Sequence, residues 1–531
     1  MVRALSVAVL LILVVIPLLA ALPALFFAGQ GAGIRANWSL WLVPVSQTVL
    51  LTISVTLLVL LSGLVIARHI GNSRGFAVIS VLLSTPHVAF AVGIMLLLSP
   101  SGYLTRLVHT LLHALPTPPV GWPLPEKSVL TLAIVLLLKE IPFLLLIAST
   151  QLRQLPYQQW LLQAQSLGWS GRRAWWLLVV PALLPRLKLA LAAIVIYTLS
   201  VVDIPLLLGP NMPGVLATVV YQQHYQWGAD NQAAIGVWWL LLLSAVMFLL
   251  LQGLLSGYPP LARLARSHWQ KTSRRRWHLS AGKGFLQVGA GLSLLVLAAL
   301  LMESFAGARF YPALWPQQWQ ASRWLTEWPY IWPLLLTSGW LALISAALAT
   351  AAAIAVLERQ RRTKSRSMHW LPLLMLFIPQ LVLVLGWQKV TGAGSSGPVL
   401  IWSHVVFCFP YAYLVLHGAW VNVSDRWLYQ AQSLGYSYRQ AWWQVLLPML
   451  KHAVFSAFAV AFSVSIAQYL PTLWLAGGTL PTITTEAVSI ASGGDWRLAS
   501  LYALMQALLP LVMFTLLLGR KPRQQAIDVT H

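Results

Sequence analysis

The segment QAQSLGWSGRRAWW at residues 163–176 occurs a second time, as QAQSLGYSYRQAWW at residues 430–443. The two copies are 267 residues apart and are identical at 11 of 14 positions. In each copy a proline follows the glycine by 13 residues, Pro181 after Gly168 and Pro448 after Gly435. A polar segment kept in register twice between hydrophobic stretches predicts two related halves of one membrane protein, each presenting the same docking element to a partner.

Hydrophobic residues make up 59% of the 531-residue chain and charged residues only 8%. Apolar stretches of roughly 20 residues recur, which is the length that a helix needs to cross a hydrocarbon core about 30 Å thick. We therefore predict an all-α polytopic membrane protein with about 12 transmembrane helices. The first stretch resembles a signal peptide, but its length favours a retained helix. The predicted spans lie near residues 4–27, 44–69, 76–99, 128–151, 177–207, 233–257, 284–305, 331–357, 368–389, 397–420, 447–476 and 497–519.

The net charge of +23 is distributed unevenly along the chain. If the N-terminus is cytoplasmic, 26 of the 34 Lys and Arg residues fall in or beside cytoplasmic segments, including the cluster at 263–283. This asymmetry follows the positive-inside rule, so the basic excess is explained by topology. We expect both termini in the cytoplasm, the lipid bilayer as the surroundings and no nucleic-acid partner.

Similarity between the halves extends beyond the repeated segment. Residues 48–70, TVLLTISVTLLVLLSGLVIARHI, parallel residues 333–359, and both stretches end in a basic segment. We predict parallel-topology repeats of about five helices at 44–258 and 331–520, each preceded by one less similar helix. The predicted organisation is a first six-helix repeat at 1–258, a basic cytoplasmic linker at 259–283, a second six-helix repeat at 284–520 and a cytoplasmic tail at 521–531.

The repeated segment has the pattern of a short amphipathic helix, a break at Gly168 or Gly435, and a second helix that enters the membrane at Pro181 or Pro448. The simpler alternative is an ordinary interfacial loop helix. Two near-identical copies at equivalent positions favour a partner-docking element instead.

At these residues the chain resembles the permease subunits of binding-protein-dependent ABC importers. That family carries a cytoplasmic motif of Glu-Ala-Ala, three residues, Gly, nine residues and Ile-x-Leu-Pro. The motif's Glu is replaced here by Leu162 and Tyr429, and its first Ala by Gln163 and Gln430. The residues that match at the family's spacing are Ala164, Gly168 and Pro181 in the first copy and Ala431, Gly435 and Pro448 in the second.

The resemblance implies a fold of the type I ABC importer kind in a bacterial inner membrane. It implies as partners two copies of a cytoplasmic ABC ATPase subunit and a periplasmic substrate-binding protein, with alternating access as the mechanism. Two permease domains in one polypeptide are found in the iron(III) and thiamine importers of this family, which implies a related small solute. The implied ATPase-coupling residues are Gln163, Ala164, Gly168, Arg172, Pro181, Gln430, Ala431, Gly435, Arg439 and Pro448.

Several kinds of chemistry are not expected in this chain. It contains no Gly-x-x-x-x-Gly-Lys-Ser/Thr segment to cradle nucleotide phosphates, so ATP hydrolysis is expected in a separate subunit. His109 and His113 share a helical face without a Cys or carboxylate nearby, so we predict no metal site. We predict neither catalytic residues nor a cofactor, and a membrane-embedded enzyme is disfavoured because no cluster of acids, histidines or nucleophiles recurs.

Polar residues inside the predicted spans suggest a substrate path, because burying them in a membrane is costly. Glu140 lies in the fourth span, Asp203 near the outer end of the fifth, and Gln468 at about the same place in the second half. The two carboxylates are candidate contacts for a cationic solute. In the structural alternative, Lys139 pairs locally and Asp203 merely reaches outer water.

The main functional alternative is a twelve-helix secondary transporter, which can also be built from six-helix halves. Such a transporter would need no ATPase partner, so the repeated cytoplasmic segment favours the ATP-driven class. The solute stays open among iron(III), thiamine, a polyamine, an oxyanion and others.

Overall fold

The computed structural model describes residues 2–26, 38–68, 85–122, 127–152, 154–226, 230–267, 281–363, 370–392, 394 and 397–518. Helices dominate this part of the chain. The first half contains α1 (2–26), α2 (Trp38–Ala67), α3 (His87–Leu98), α4 (Tyr103–Leu112), α5 (Val129–Leu152), α6 (Tyr157–Ser166), α7 (Gly171–Ser200), α8 (Asp203–Leu208), α9 (Leu216–Tyr225) and α10 (Asp230–Ser267).

The second half repeats this order of elements. It contains α11 (Ala281–Phe305), α12 (Ser322–Thr363), a 3-10 helix (Leu371–Phe377), α13 (Gln380–Thr391), α14 (Gly397–Asn422), α15 (Arg426–Ser433), α16 (Tyr438–Ile466), α17 (Leu470–Ala476), α18 (Ile483–Ser492) and α19 (Trp496–Leu518). In the described residues α4 and the 3-10 helix lack a counterpart, and the residues that precede α3 at the place equivalent to the 3-10 helix lie outside the described ranges. Equivalent contacts recur as well, since the Leu216 amide donates to the Thr48 hydroxyl at 2.8 Å and the Ile483 amide to the Ser338 hydroxyl at 2.9 Å.

The predicted all-α membrane fold is confirmed. In the described residues 11 helices are long and apolar enough to cross a membrane. A twelfth span is formed if the 3-10 helix and α13, which meet at 96°, count as one. The bend lies at Pro379, which cannot donate a backbone hydrogen bond and disfavours helix in the residue before it. The start of the predicted third span, at 76–84, lies outside the described residues.

Two predicted spans are shorter than expected. The spans at 177–207 and 447–476 were expected to be continuous, but α7 ends at Ser200 and α16 at Ile466, each followed by a short helix after a break. The freed backbone groups in the second break find partners inside the protein: the Thr484 hydroxyl donates to the Ile466 carbonyl, and the Thr472 hydroxyl donates to the Gln468 carbonyl at 2.9 Å. Broken helices are tolerated at membrane depth only where such partners or a cavity exist.

In the part of the chain that the structure describes, three π turns mark places where a proline enters a helix. They lie at Leu11–Val15, Trp175–Val179 and Trp442–Leu446, and each ends two residues before a proline, namely Pro17, Pro181 or Pro448. Proline lacks an N–H and crowds the carbonyl four residues earlier, and a wider turn relieves both problems. The helices at both repeated segments therefore continue through their prolines, so that α7 and α16 begin ten residues before them.

The first helix of each half packs against the other half. In α3, a Cβ atom added at Gly93 would lie 2.4 Å from Val296 Cγ1 of α11, and in α13 one added at Gly386 would lie 2.6 Å from the Ala21 Cα atom of α1. The Trp387 indole also donates to the Pro17 carbonyl at 2.9 Å. The two sequence halves are thus interlocked by an exchange of their first helices.

The first residues of the predicted linker at 259–283 are helical. Helix α10 continues through Pro259 and Pro260 to Ser267. Pro260 is exposed at this end of the helix, where water can satisfy the carbonyls that the prolines leave unbonded. Residues 268–280 and the predicted tail at 521–531 lie outside the described residues.

Candidate functional site

The first repeated segment forms two helices joined by a tight turn. Helix α6 ends at Ser166, Gly168 adopts a φ of +85°, and Ser170 caps the start of α7 by accepting a hydrogen bond from the Arg173 amide. Ala164 is buried, whereas Gln163 and Arg172 are exposed. One side of α6 packs inward, with the Tyr157 ring 6.3 Å from the Trp175 ring in an edge-on contact. We call residues 157–176 the first coupling segment.

The second repeated segment has the same geometry. Helix α15 ends at Ser433, and Gly435 has a φ of +90°. Ser437 and Gln440 form a reciprocal capping box at the start of α16, which fixes the turn more firmly than the single cap of the first copy. Ala431 is buried, and Gln430 and Arg439 are exposed. We call residues 426–443 the second coupling segment.

The two glycines are required for their backbone conformation. A Cβ atom at Gly168 or Gly435 would meet nothing within 4 Å, so the turns have room for a side chain. A positive φ strains residues that carry a Cβ atom, except that Asn and Asp adopt it more readily. The preference for glycine at these two turns is therefore conformational and does not arise from crowding.

Ionic contacts join the second coupling segment to α12. Buried Glu358 accepts hydrogen bonds from the Tyr438 hydroxyl and from Arg362 Nε, the latter at 2.8 Å. The Arg362 guanidinium lies over the Tyr438 ring, 4.3 Å from its centroid. A further ion pair connects Arg361 to Asp425, just before α15.

The first coupling segment is attached through contacts of a different kind. The Tyr258 hydroxyl of α10 donates to the Trp176 carbonyl at 2.8 Å. Arg68, at the end of α2, approaches Gly171, where a Cβ atom would lie 3.1 Å from its Nη2 atom. Burial, and to a smaller extent the charge of Arg172, lower the pKa of Arg68. The two segments therefore have different electrostatic attachments despite their similar sequences.

The three predicted path residues lie together. Glu140 from α5, Asp203 at the start of α8 and Gln468 in the break before α17 all line one cavity of about 210 Å³ between the two halves. The alternative in which Asp203 only reaches outer water is not supported, because the early end of α7 turns this residue into the cavity wall. Lys139 does pair locally, since its ammonium donates to the Thr85 carbonyl at 2.6 Å.

Two further polar residues of the cavity were not anticipated. His87 Nε2 lies 3.5 Å from a Glu140 oxygen, and Gln380 donates to the side-chain oxygen of Gln468. His87 follows Pro86 and Gln380 follows Pro379, at equivalent starts of α3 and α13. A polar residue directly after a proline, at the same place in both halves, was the available sequence signal. Aromatic residues complete much of the wall, namely Phe143, Tyr197, Tyr411 and Tyr469.

An aromatic cluster joins the halves beyond the cavity, on the side away from the coupling segments. Buried Trp474 of α17 stacks on Tyr221 of α9 with ring centroids 5.9 Å apart and planes at 4°. His224 and Tyr225 contact the same indole at 4.6 and 6.5 Å. The sequence pattern gave no indication of this contact.

Metal binding finds no support in the described residues, where no group of three or more His, Cys, Asp and Glu side chains could hold an ion. His109 and His113 have ring centroids 6.4 Å apart, and the His109 ring contacts the Ala114 carbonyl at 3.0 Å.

Comparison with known proteins gives relatives of one kind. No protein-family model matches the chain. The chain is 32% identical over 457 residues to the inner membrane ABC transporter permease protein YnjC of Escherichia coli, an alignment that covers 82% of this chain and 78% of the relative. Over 101 residues it is 33% and 30% identical to homologs of the spermidine/putrescine transport system permease protein PotC from Mycoplasma genitalium and Mycoplasma pneumoniae. These shorter alignments cover 19% of this chain and 35% of each relative.

The relatives agree with the membrane fold, and they do not favour the secondary-transporter alternative. The long alignment spans most of both proteins. The chain therefore belongs to the ABC transporter permeases.

Proposed function

We propose that the chain is the membrane subunit of an ATP-driven importer, that it is built of two fused permease domains, and that it passes a small solute through the cavity between them. The observation that carries the proposal is the continuity of α7 and α16. Each helix begins in a coupling segment and ends at a break that borders the cavity. A displacement of either coupling segment would therefore move a wall of the cavity directly.

The proposal includes partners at both ends of the chain's membrane region. Two copies of a cytoplasmic ATPase subunit would bind the two coupling segments, and a periplasmic binding protein would deliver solute at the opposite end. The chain would lie in a bacterial inner membrane with both termini in the cytoplasm, as its Lys and Arg distribution predicts. ATP can drive the halves between inward-open and outward-open states only if it binds one state of the assembly more tightly.

A small cation is the solute that the cavity favours. Glu140 and Asp203 contribute two carboxylates, whereas the Lys139 ammonium is already bonded to Thr85. The surrounding aromatic rings can attract a cation through their faces. The Mycoplasma relatives are named for spermidine and putrescine, which are organic cations of this kind. Polyamines, thiamine and iron(III) are therefore the first solutes to test.

Substitutions at Gly168 and Gly435, the turns of the two coupling segments, test the proposal because they alter the backbone conformation of these turns. Replacing both Gly168 and Gly435 by Val should destabilise the native conformation of each turn by about 1–2 kcal/mol. The double variant should therefore co-purify less with an ABC ATPase subunit and should no longer support uptake. The matched Asn variants should retain both activities, because Asn tolerates a positive φ. Full ATPase binding and uptake by the folded double Val variant would contradict the proposed role of the turns.

A further inference from the structure

Helices α6 and α15 of the two coupling segments carry large apolar residues on their exposed sides. In α6, Leu162 is 66% exposed, although Ala164 on the opposite side is buried. In α15, Tyr429 at the equivalent position is 62% exposed and Ala431 is buried. Leu167 and Leu434, just before the two glycines, are exposed as well. Each coupling segment thus presents two apolar residues at matching positions.

Amide and basic groups surround these apolar residues. The exposed neighbours in α6 include Gln158, Gln159, Gln163 and Gln165. If this side of α6 lay in the hydrocarbon core of a membrane, several of its side-chain amides would lack hydrogen-bond partners. Contact with water or with a protein partner suits it better than contact with lipid. Apolar residues rimmed by polar groups are typical of protein interaction sites.

Neither coupling segment contains an Asp or Glu residue, and their charges are all positive. Arg172 and Arg439 are exposed at equivalent positions at the start of α7 and α16. A partner that approaches both segments therefore meets an uncharged apolar centre with a basic edge. Electrostatic complementarity then calls for acidic groups at the partner's edge and an apolar floor beneath.

We propose that Leu162 and Tyr429 are the central anchors of the ATPase interface, and that the ATPase of this system receives them in an apolar pocket edged by acidic groups. This inference rests on the proposed function. Tyr429 and exposed Trp427 give the second segment the residue types that dominate interface energies, so that segment should contribute more of the affinity. A pocket of this kind would reject a carboxylate, because binding would bury its charge without a partner.

The test replaces both anchors by Glu, the residue that the family motif carries there. Binding of the detergent-solubilised full chain to the purified ABC ATPase subunits of its own organism would be measured by biolayer interferometry. The variant with Leu162→Glu and Tyr429→Glu should bind at least about tenfold more weakly. The matched variant with Leu162→Met and Tyr429→Phe should bind as the unmodified chain does. Single Tyr429→Ala should weaken binding more than single Leu162→Ala.

The outcomes separate this inference from the proposed function. Equal or tighter binding of the double Glu variant would show a pocket built for carboxylates and would overturn the inference, while the proposed function would stand. Failure of the unmodified chain to bind the ATPase would overturn both. Monodisperse elution and an unchanged thermal transition of the Glu variant establish that weaker binding reflects the interface and not misfolding.

Discussion

Tyr438 donates its phenolic hydrogen to Glu358, which joins the second coupling segment to the C-terminal end of α12. Glu358 is buried and also accepts from Arg362. Helix α12 in turn packs closely against α14 and α16. The contact therefore connects the predicted ATPase-binding element to several membrane helices at once, in addition to the direct connection through α16 itself.

Loss of the Glu358 charge should weaken this connection. Glu358→Gln should destabilise the chain by about 1–3 kcal/mol, because it replaces hydrogen bonds to a buried charge by weaker ones. Asp425→Asn should cost less than about 1 kcal/mol, because 46% of the Asp425 side chain is exposed and ion pairs that water reaches contribute little. Thermal unfolding in detergent measures both values. If Asp425→Asn lowered the stability as much as Glu358→Gln or more, the Glu358 contacts would not be the stronger of the two.

The exchange of first helices should depend on Gly386. A Cβ atom there would approach the backbone of Ala21, which cannot move aside as a flexible side chain can. Gly386→Ala should therefore destabilise the fold by about 1–3 kcal/mol, as overpacking does. Gly253→Ala in α10 is the matched control, because nothing lies within 4 Å of its added Cβ atom. The control should be neutral or slightly stabilising, since Ala favours helix over Gly.

A melting temperature of Gly386→Ala equal to that of the control would contradict the close approach of α1 and α13. The companion variant Gly93→Ala should lower the melting temperature less than Gly386→Ala does. Its added atom meets the Val296 side chain, which has more freedom to shift than a backbone.

The cavity carboxylates should control uptake of a cation. Glu140→Gln and Asp203→Asn each remove a negative charge from the wall, and attraction to a cation is strong where water is scarce. Each variant should slow uptake of labelled putrescine, thiamine or iron(III), whichever the unmodified assembly transports in vesicles, while ATP hydrolysis stays measurable. Ser463→Ala, which alters an uncharged cavity residue, is the matched control. Normal uptake by both carboxylate variants would assign Glu140 and Asp203 a structural role.

The sequence predicted the fold class and most helix positions because membrane spans are governed by hydrophobic length, which is a local property. The positions of the coupling turns were also predicted, since Gly168 and Gly435 recur in one pattern. The breaks after Ser200 and Ile466 were missed because each interrupts a long, mostly apolar stretch, and the bonds that satisfy the backbone come from distant residues such as Thr484.

The partners of the path residues were not predictable for a similar reason. Glu140 and Gln468 stood out individually, but their contacts with His87 and Gln380 depend on how the helices cross. The exchange of α1 and α11 between the halves is likewise invisible to a comparison of the two repeats. Repeat patterns define related segments, whereas packing decides which of them touch.

Site-specific photo-crosslinking tests the central claim most directly. A photoreactive amino acid would be placed in turn at Gln163 and Gln430 on the coupling segments, and at Thr110 on α4 as a control predicted to lie on the opposite side of the membrane. Irradiated cells would be analysed by mass spectrometry of the crosslinked chain. The account predicts an ABC ATPase subunit attached at both Gln163 and Gln430 and not at Thr110. Attachment of the ATPase at Thr110, or at neither coupling position, would contradict it.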